Sequence, residues 1–217
     1  MPQGASIENT LPAFRHALKC GLDGIELDVQ LSRDNEVVVF HDSDLTRLFG
    51  RYERVDSLTW RQLQALRLPG GARIPHLRDV VESWPTGSWL CIDLKGASET
   101  LAVACVEILE GRPSVILSST DPRPLLHARR AGSGYEHVLG LGAASTPFLH
   151  LRGASHYRFQ GVHLDYRLAT AAIVERYHNE GVKVGVYTVN DPEDHQRMAS
   201  FGVDRVISSS VPSAAGE

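Results

Sequence analysis

Short apolar runs and helix-patterned segments alternate along this sequence from end to end, and that alternation limits the fold more than any other feature. Candidate strands fall at 22–29, 36–40, 90–94, 114–118, 137–141, 161–164, 182–187 and 205–207. Helical patterns fall at 11–20, 57–66, 75–84, 99–110, 122–130, 170–179 and 192–200. Thr10 suits the cap of the first helix, with Pro12 in its first turn and Gly21 just past its end. Repeated strand–helix units imply a parallel sheet, because a parallel neighbour needs a crossover of a dozen or more residues. One link breaks the rule. Only residues 30–35, ending in Ser32-Arg33-Asp34-Asn35, separate the first two strands, too few for a crossover, so these should form an antiparallel hairpin. Setting 36–40 aside as a hairpin arm leaves seven strands for a sheet that is either open and doubly wound or closed. Closure as a (β/α)8 barrel takes eight. The first helix comes almost at once, so if the sheet closes as an α/β TIM (β/α)8 barrel, the missing strand is the first. The chain is expected as one domain over 1–217, less regular at about 43–88 and unclear at 142–160, with a frayed tail at 208–217.

Composition removes several function classes. Lys plus Arg number 22 against 26 Asp plus Glu, a net charge of −4 with no basic cluster, so nucleic acid is not an expected partner. No run of about 18 apolar residues exists, so no membrane span is expected. The opening MPQGASIENT has neither the basic nor the apolar stretch of a secretory signal. Cys20, Cys91 and Cys105 are odd in number and widely spaced, which suits neither a disulfide framework nor a zinc knot. A reducing, cytoplasmic location is expected.

Glu26 and Asp28 stand two apart on an otherwise apolar strand and so share one face. Either that face meets solvent and the acids are ordinary, or it is buried and the carboxylates need a cation. A hard divalent metal with oxygen ligands suits the second case. The hairpin bears on the choice. A turn centred between Arg33 and Asp34 sets Glu26 opposite His41 and Asp28 opposite Val39. A turn centred on Asp34-Asn35 sets Asp28 opposite His41. Both bring His41 to the acids, as a ligand, a general acid/base or a structural group. Asp42 is placed to orient the imidazole or the turn.

Asp93 and Lys95 repeat the two-residue spacing at the end of another strand. They read either as a buried ion pair or as a third carboxylate with a cation for an anionic substrate. Tyr187, before Thr188-Val189-Asn190, reads as a pocket wall or a core aromatic. His163, Asp165, Ser118 and Ser119 lie at further strand ends, and Cys91 reads as a small core residue. Acids, a histidine and a lysine at strand ends suggest a metal-assisted reaction on a phosphate ester. No P-loop and no strand-following G-x-G-x-x-G is present, so nucleotide phosphate cradling is unsupported.

Five ordered segments also carry a family resemblance: Glu8-Asn9-Thr10-Leu11-Pro12-Ala13-Phe14, Gly24-Ile25-Glu26-Leu27-Asp28-Val29, Val38-Val39-Phe40-His41-Asp42, Ile92-Asp93-Leu94-Lys95 and Tyr187-Thr188-Val189-Asn190. Together they resemble the glycerophosphodiester phosphodiesterases, which are (β/α)8-barrel enzymes, over nearly the whole chain. The resemblance implies a divalent metal, Mg²⁺ or Ca²⁺, held by Glu26, Asp28 and Asp93. It implies hydrolysis of a small-molecule glycerophosphodiester to glycerol 3-phosphate and an alcohol. His41 would be one of two histidines that trade protons with the attacking and leaving groups. Lys95 would neutralise phosphate charge, Glu8 matches an acid near the site, and Tyr187 stands where tryptophan is usual. The family opens with a strand ending in His-Arg-Gly. Aligning Gly4 with that glycine puts Pro2 at the second histidine and Gln3 at a phosphate-binding arginine. An inactive family member, or a lyase-type phospholipase forming a cyclic phosphate, are the alternatives.

Overall fold

The structure, a computed structural model, describes residues 7–142 and 156–210. The chain divides into two units, one of residues up to 117 together with 123–135, the other of 118–122 together with 136 onward.

In the first unit, α1 (Leu11–Lys19) starts where Thr10 accepts a hydrogen bond from the Ala13 amide at 3.3 Å, and it buries Phe14. Gly21 beyond its end takes a φ of +71°, a left-handed conformation that glycine adopts without strain. The chain then enters β1 (Gly24–Leu31), turns back as β2 (Val37–Val39), and later returns as β3 (Trp89–Leu94). β2 is antiparallel to β1, and β3 is parallel to it. The outer edge of β2 is not left open, because the Val39 amide donates to the Pro75 carbonyl at 2.9 Å.

The hairpin register differs from both expectations. Val29 opposes Val39 and Leu31 opposes Val37, so the turn is centred on Asp34 itself. The cause is a three-residue loop. Ser32 and Glu36 close it, with the Ser32 amide donating to the Glu36 carbonyl at 3.0 Å and Asn35 in the left-handed region at φ +63°. Odd loops of this kind are a type I turn followed by a left-handed residue. His41 therefore lies past the paired part of β2, and Phe40, not His41, donates its amide to the Asp28 carbonyl at 2.9 Å.

Between β2 and β3 run α2 (Thr46–Phe49), α3 (Trp60–Ala65) and α4 (Leu77–Ser83). This less regular stretch has its own core, in which Leu45, Val55, Leu63 and Ile74 pack with Val38 and Phe40. The helix expected from 57 begins at Trp60, because Thr59 and Gln62 form a reciprocal capping box that sets its start. After β3 come α5 (Glu99–Ile108), β4 (Val115–Ser119) and α6 (Pro122–Arg130). The chain passes between the units within β4 and within α6.

The second unit is a parallel run of β5 (Glu136–Leu141), β6 (Gly161–Asp165), β7 (Lys183–Tyr187) and β8 (Arg205–Val206). α7 (Ala171–Asn179) and α8 (Pro192–Ser200) form the crossovers. Glu136 on β5 pairs with Lys183 at 3.0 Å and Arg205 at 2.5 Å. Asp191 caps α8, and Glu193 and Asp194 in its first turn complement the positive end of the helix dipole.

Eight strands are present among the described residues, seven of them in the β/α series with β2 as the hairpin arm. A strand ahead of α1 would fall on residues 1–6, outside the described residues, as do most of the unclear segment (143–155) and the tail from 211. All three cysteines are free, with Cys91 and Cys105 buried and Cys20 exposed. Among the described residues no helix is long and apolar enough to cross a membrane.

The close approach of β1 and β3 depends on Gly24. A Cβ there would sit 2.6 Å from both the Cβ and the carbonyl oxygen of Trp89. Gly24→Ala is expected to force the two strands apart and to cost roughly 1–3 kcal/mol, read as a lower urea midpoint than wild type.

Candidate active site

β1 and β3 gather the acids. Glu26 and Asp28 share a face of β1, and the parallel register sets Asp93 of β3 beside Asp28 and Cys91 beside Glu26. Asp28 is buried. One of its carboxylate oxygens accepts from the Lys95 ammonium at 2.6 Å, and the same ammonium reaches Asp93 at 2.7 Å. The Lys95 backbone is held in place by its own amide, which donates to the Val29 carbonyl at 3.0 Å. The other Asp28 oxygen accepts from the Asn9 amide group at 2.7 Å, while the Asp28 backbone amide donates to Asn9 Oδ1 at 3.1 Å. Asn9 reaches this pose from the left-handed region, at φ +55°, which asparagine tolerates better than most residues.

These contacts set the electrostatics. Burial pushes the Glu26 carboxyl well above its ordinary range, and the neighbouring charges of Asp28 and Asp93 push it further, against the pull of Lys95. Burial works against the Lys95 charge, but Asp93 and Asp28 outweigh it, so Lys95 stays firmly protonated. The buried Asp–Lys ion pair and the acidic cluster, read as alternatives in the sequence, are one arrangement.

His41 lies beside this cluster in sequence terms but on a different support. Gln30, two residues on from Asp28, donates to the carbonyls of Phe40 at 2.7 Å and Asp42 at 2.8 Å, which splints the backbone on both sides of His41. The imidazole is half exposed, and its Nδ1 is 2.7 Å from Asp42 Oδ1. Arg47 on α2 donates to both Asp42 oxygens, at 2.6 and 3.1 Å, and also to Glu8. Burial pulls Asp42 upward, yet the hydrogen bonds from Arg47 and His41 outweigh it and hold its carboxyl below the usual range. The hydrogen bond to Glu8, then that to Asp42, raises the Arg47 pKa.

Glu8, Glu26, Asp28, His41, Asp93 and Lys95 thus all belong to the first unit. Tyr187 belongs to the second, where its hydroxyl donates to the Leu141 carbonyl at 2.9 Å. Other strand-end residues there serve the scaffold. Asp165 caps the turn Tyr166–Leu168 and pairs with Arg167. His163 is buried against Gly185, where a Cβ would come within 2.5 Å of its ring.

Three positioning groups escaped the sequence reading. Gln30 continues the two-residue spacing of Glu26 and Asp28, a signal that was there to be used. Asn9 sits inside the Glu8-Asn9-Thr10 segment without a role of its own. Arg47 carried no signal, since it reaches Glu8 across 39 positions from an irregular stretch.

Among the described residues no three His, Cys, Asp or Glu side chains converge tightly enough to hold a metal ion as they stand. The donor set nonetheless fits a hard divalent cation by its chemistry. Its candidate ligands are all carboxylate oxygens, and the charge of Glu26 is opposed by burial and by three neighbouring acids, Asp28, Asp93 and Glu8.

Comparison with known proteins gives one consistent picture. A model of the glycerophosphoryl diester phosphodiesterase family matches residues 2–211. A glycerophosphodiester phosphodiesterase of Caldanaerobacter subterraneus is 31% identical over 216 residues, covering 92% of this chain and 87% of that protein. The crystal structure of a glycerophosphodiester phosphodiesterase from Thermotoga maritima superimposes with a TM-score of 0.80 at 29% identity, over 94% of this chain and 89% of that one. An Oleispira antarctica phosphodiesterase, solved with the product sn-glycerol-3-phosphate, gives a TM-score of 0.87 at 25% identity, over 95% and 89%. The α/β fold shared with these structures is the (β/α)8 class that the family resemblance implies.

The buried acid generates a test. An ionised Glu26 costs the metal-free fold, so Glu26→Gln is expected to raise stability at neutral pH by about 0.5–2 kcal/mol. Because folding raises the Glu26 pKa, its favourable contribution is complete at low pH and lost as pH rises through the folded value. The gap between variant and wild type should therefore close on acidification. Thermal melts with a chelator present, across pH, would show this, and a gap that widens toward acid would refute it.

Proposed function

Because the chain belongs to the glycerophosphoryl diester phosphodiesterase family, we propose that it hydrolyses small glycerophosphodiesters, such as glycerophosphocholine or glycerophosphoethanolamine, to glycerol 3-phosphate and an alcohol. The carrying observation is the gathering of Glu26, Asp28 and Asp93 around Lys95 on two register-paired strands. Glu26, Asp28 and Asp93 would hold Mg²⁺ or Ca²⁺. When bound, such a cation offsets the negative charge of the phosphate and polarises its oxygens.

The remaining steps fall to the chain's own side chains. Lys95 would offer its positive charge to a phosphate oxygen, and its contacts with Asp28 and Asp93 tether it for that role. Water forms a new O–P bond, the P–O bond to the alcohol breaks, and the proton released by water is matched by one taken up by the alcohol. His41 would carry one of these protons on Nε2, a reading supported by the engagement of its Nδ1 with Asp42. The resemblance puts Pro2 where the second histidine would be, so the other transfer is left to solvent. Loss of one general acid/base lowers rates by on the order of 10²–10⁴. A low turnover is therefore part of this reading. So is a cytoplasmic setting, in which a reducing environment preserves the three free thiols.

Incubation with glycerophosphocholine and Mg²⁺ or Ca²⁺ is expected to release glycerol 3-phosphate, and a chelator should stop it. Lys95→Ala should lower kcat/KM by about 10²-fold or more. Phosphorus NMR separates glycerol 3-phosphate from a cyclic phosphate. A folded sample that yields neither would end the hydrolase reading, and a cyclic product would move it to the lyase class.

A further inference from the structure

We propose that Asp42 and Arg47 are positioning residues for His41: Arg47, gripped by Glu8, locks the Asp42 carboxylate onto His41 Nδ1–H, so that Nε2 alone faces the proton-transfer work. The inference rests on the hydrolase reading for its consequence in rate, but its structural content stands on four observations.

The first is hydrogen-bond chemistry. An ionised carboxylate only accepts, so at 2.7 Å from Asp42 Oδ1 the proton of a neutral His41 belongs on Nδ1. The neutral histidine side chain in water favours the other tautomer, so the carboxylate reverses an intrinsic preference. The second is the fork. Arg47 uses Nε at 2.6 Å and Nη2 at 3.1 Å on the two Asp42 oxygens, which fixes the plane of the carboxylate as well as its charge.

The third is that both ends of the fork have stiff backbones. Gln30 holds the carbonyls that flank His41. Arg47 sits between Leu45, fully buried, and Phe49, whose ring lies 6.1 Å from that of Phe40. The Asp44 carboxylate accepts from the Thr46 amide at 2.8 Å and starts the short helix that carries Arg47. The fourth is energetic. Arg47 and Glu8 are each about half exposed, and exposed ion pairs contribute little to stability. A three-way carboxylate–guanidinium–carboxylate contact across 39 positions is a weak device for holding a fold together, but a good one for fixing a direction. Glu8 also adjoins Asn9, which clamps Asp28, so one short segment sets both the relay and the acidic cluster.

The test pairs a rate with a proton position, using the full-length chain. In long-range ¹H–¹⁵N spectra, with His41 assigned from His41→Ala, neutral His41 should show the Nδ1–H tautomer. Asp42→Asn, which can donate as well as accept, should move it toward Nε2–H. With glycerophosphocholine, Asp42→Asn should lower kcat by on the order of 10²–10⁴ with KM within about 3-fold, the effect expected when an orienting carboxylate is lost. Arg47→Ala should lower kcat by about 10-fold or more, with partial rescue by added guanidinium, and Arg47→Lys should fall between, because it cannot form the fork. Glu8→Gln, an exposed change, gives a smaller shift in the same direction and serves where an Arg47 variant fails to fold. An Nε2–H tautomer in the wild type overturns the relay, as does an Asp42→Asn variant with unchanged tautomer and kcat. If the wild type hydrolyses no diester, the function falls, while the tautomer comparison still decides the relay.

Discussion

Asp28 is held from every side, and the rest of the first unit's chemistry is arranged by that grip. Its backbone pairs with β2 through Phe40 and lies in register with Asp93 of β3, while its carboxylate is shared between Asn9 and Lys95. A buried carboxylate without such partners would be costly. Here the partners come from three segments far apart in sequence, so satisfying one side chain fixes the helix entry, the central strand and the end of its neighbour together. Glu26 sits two residues away on the same face and inherits the consequences: burial and the like charges of Asp28, Asp93 and Glu8 all oppose its ionised form. An arrangement that settles Asp28 and leaves Glu26 in deficit is unhelpful for stability alone. The cation proposed for the cluster would offset that deficit.

Most of the fold was legible because strand and helix periods are written locally. The segments at 122–130 and 192–200 match α6 and α8 residue for residue, since Pro at the start and basic or polar residues at the end mark both limits. The pairing of Glu26 with Asp28, and of Asp93 with Lys95, followed from the two-residue repeat of a strand. The hairpin register did not follow, because it depends on whether one asparagine takes a left-handed conformation. Asn35 does, and the extra loop residue shifts every opposition by one position. The expectation that His41 would face the acids across the hairpin failed for that reason, although His41 still belongs to the same unit as the acids.

What was illegible has a common physical character. Gln30, Asn9 and Arg47 act through hydrogen bonds to atoms 10, 19 and 39 positions away. The two-residue spacing puts Gln30 on the face of Glu26 and Asp28, but no period or spacing names the partners of these three residues, which are met only once the strands are in register and the irregular stretch has folded on its own core. Arg47 is the clearest case. Its place is set by Leu45 and Phe40 packing into that core, so the residues that aim it are apolar ones that look like scaffold in the sequence.

The two halves of the site are built to different tolerances, and the difference suits the roles proposed for them. The acidic cluster stands on paired strands, where positions are fixed by the sheet and adjust little. Charge neutralisation needs this, since a shift of a carboxylate changes every pairwise interaction around it. The histidine stands just outside the paired strand, splinted by Gln30 and steered by Asp42. Proton transfer needs a ring that presents one nitrogen in one direction, and hydrogen bonds to the other nitrogen and to the flanking carbonyls supply that without burying the ring. Glu8 and Asn9, adjacent in sequence, are where the two constructions meet, one residue serving the steering of the histidine and the other the clamping of Asp28. Glu8 holds Arg47 and adds its negative charge to the surroundings of Glu26, while its neighbour Asn9 clamps Asp28, so two adjacent residues reach both constructions.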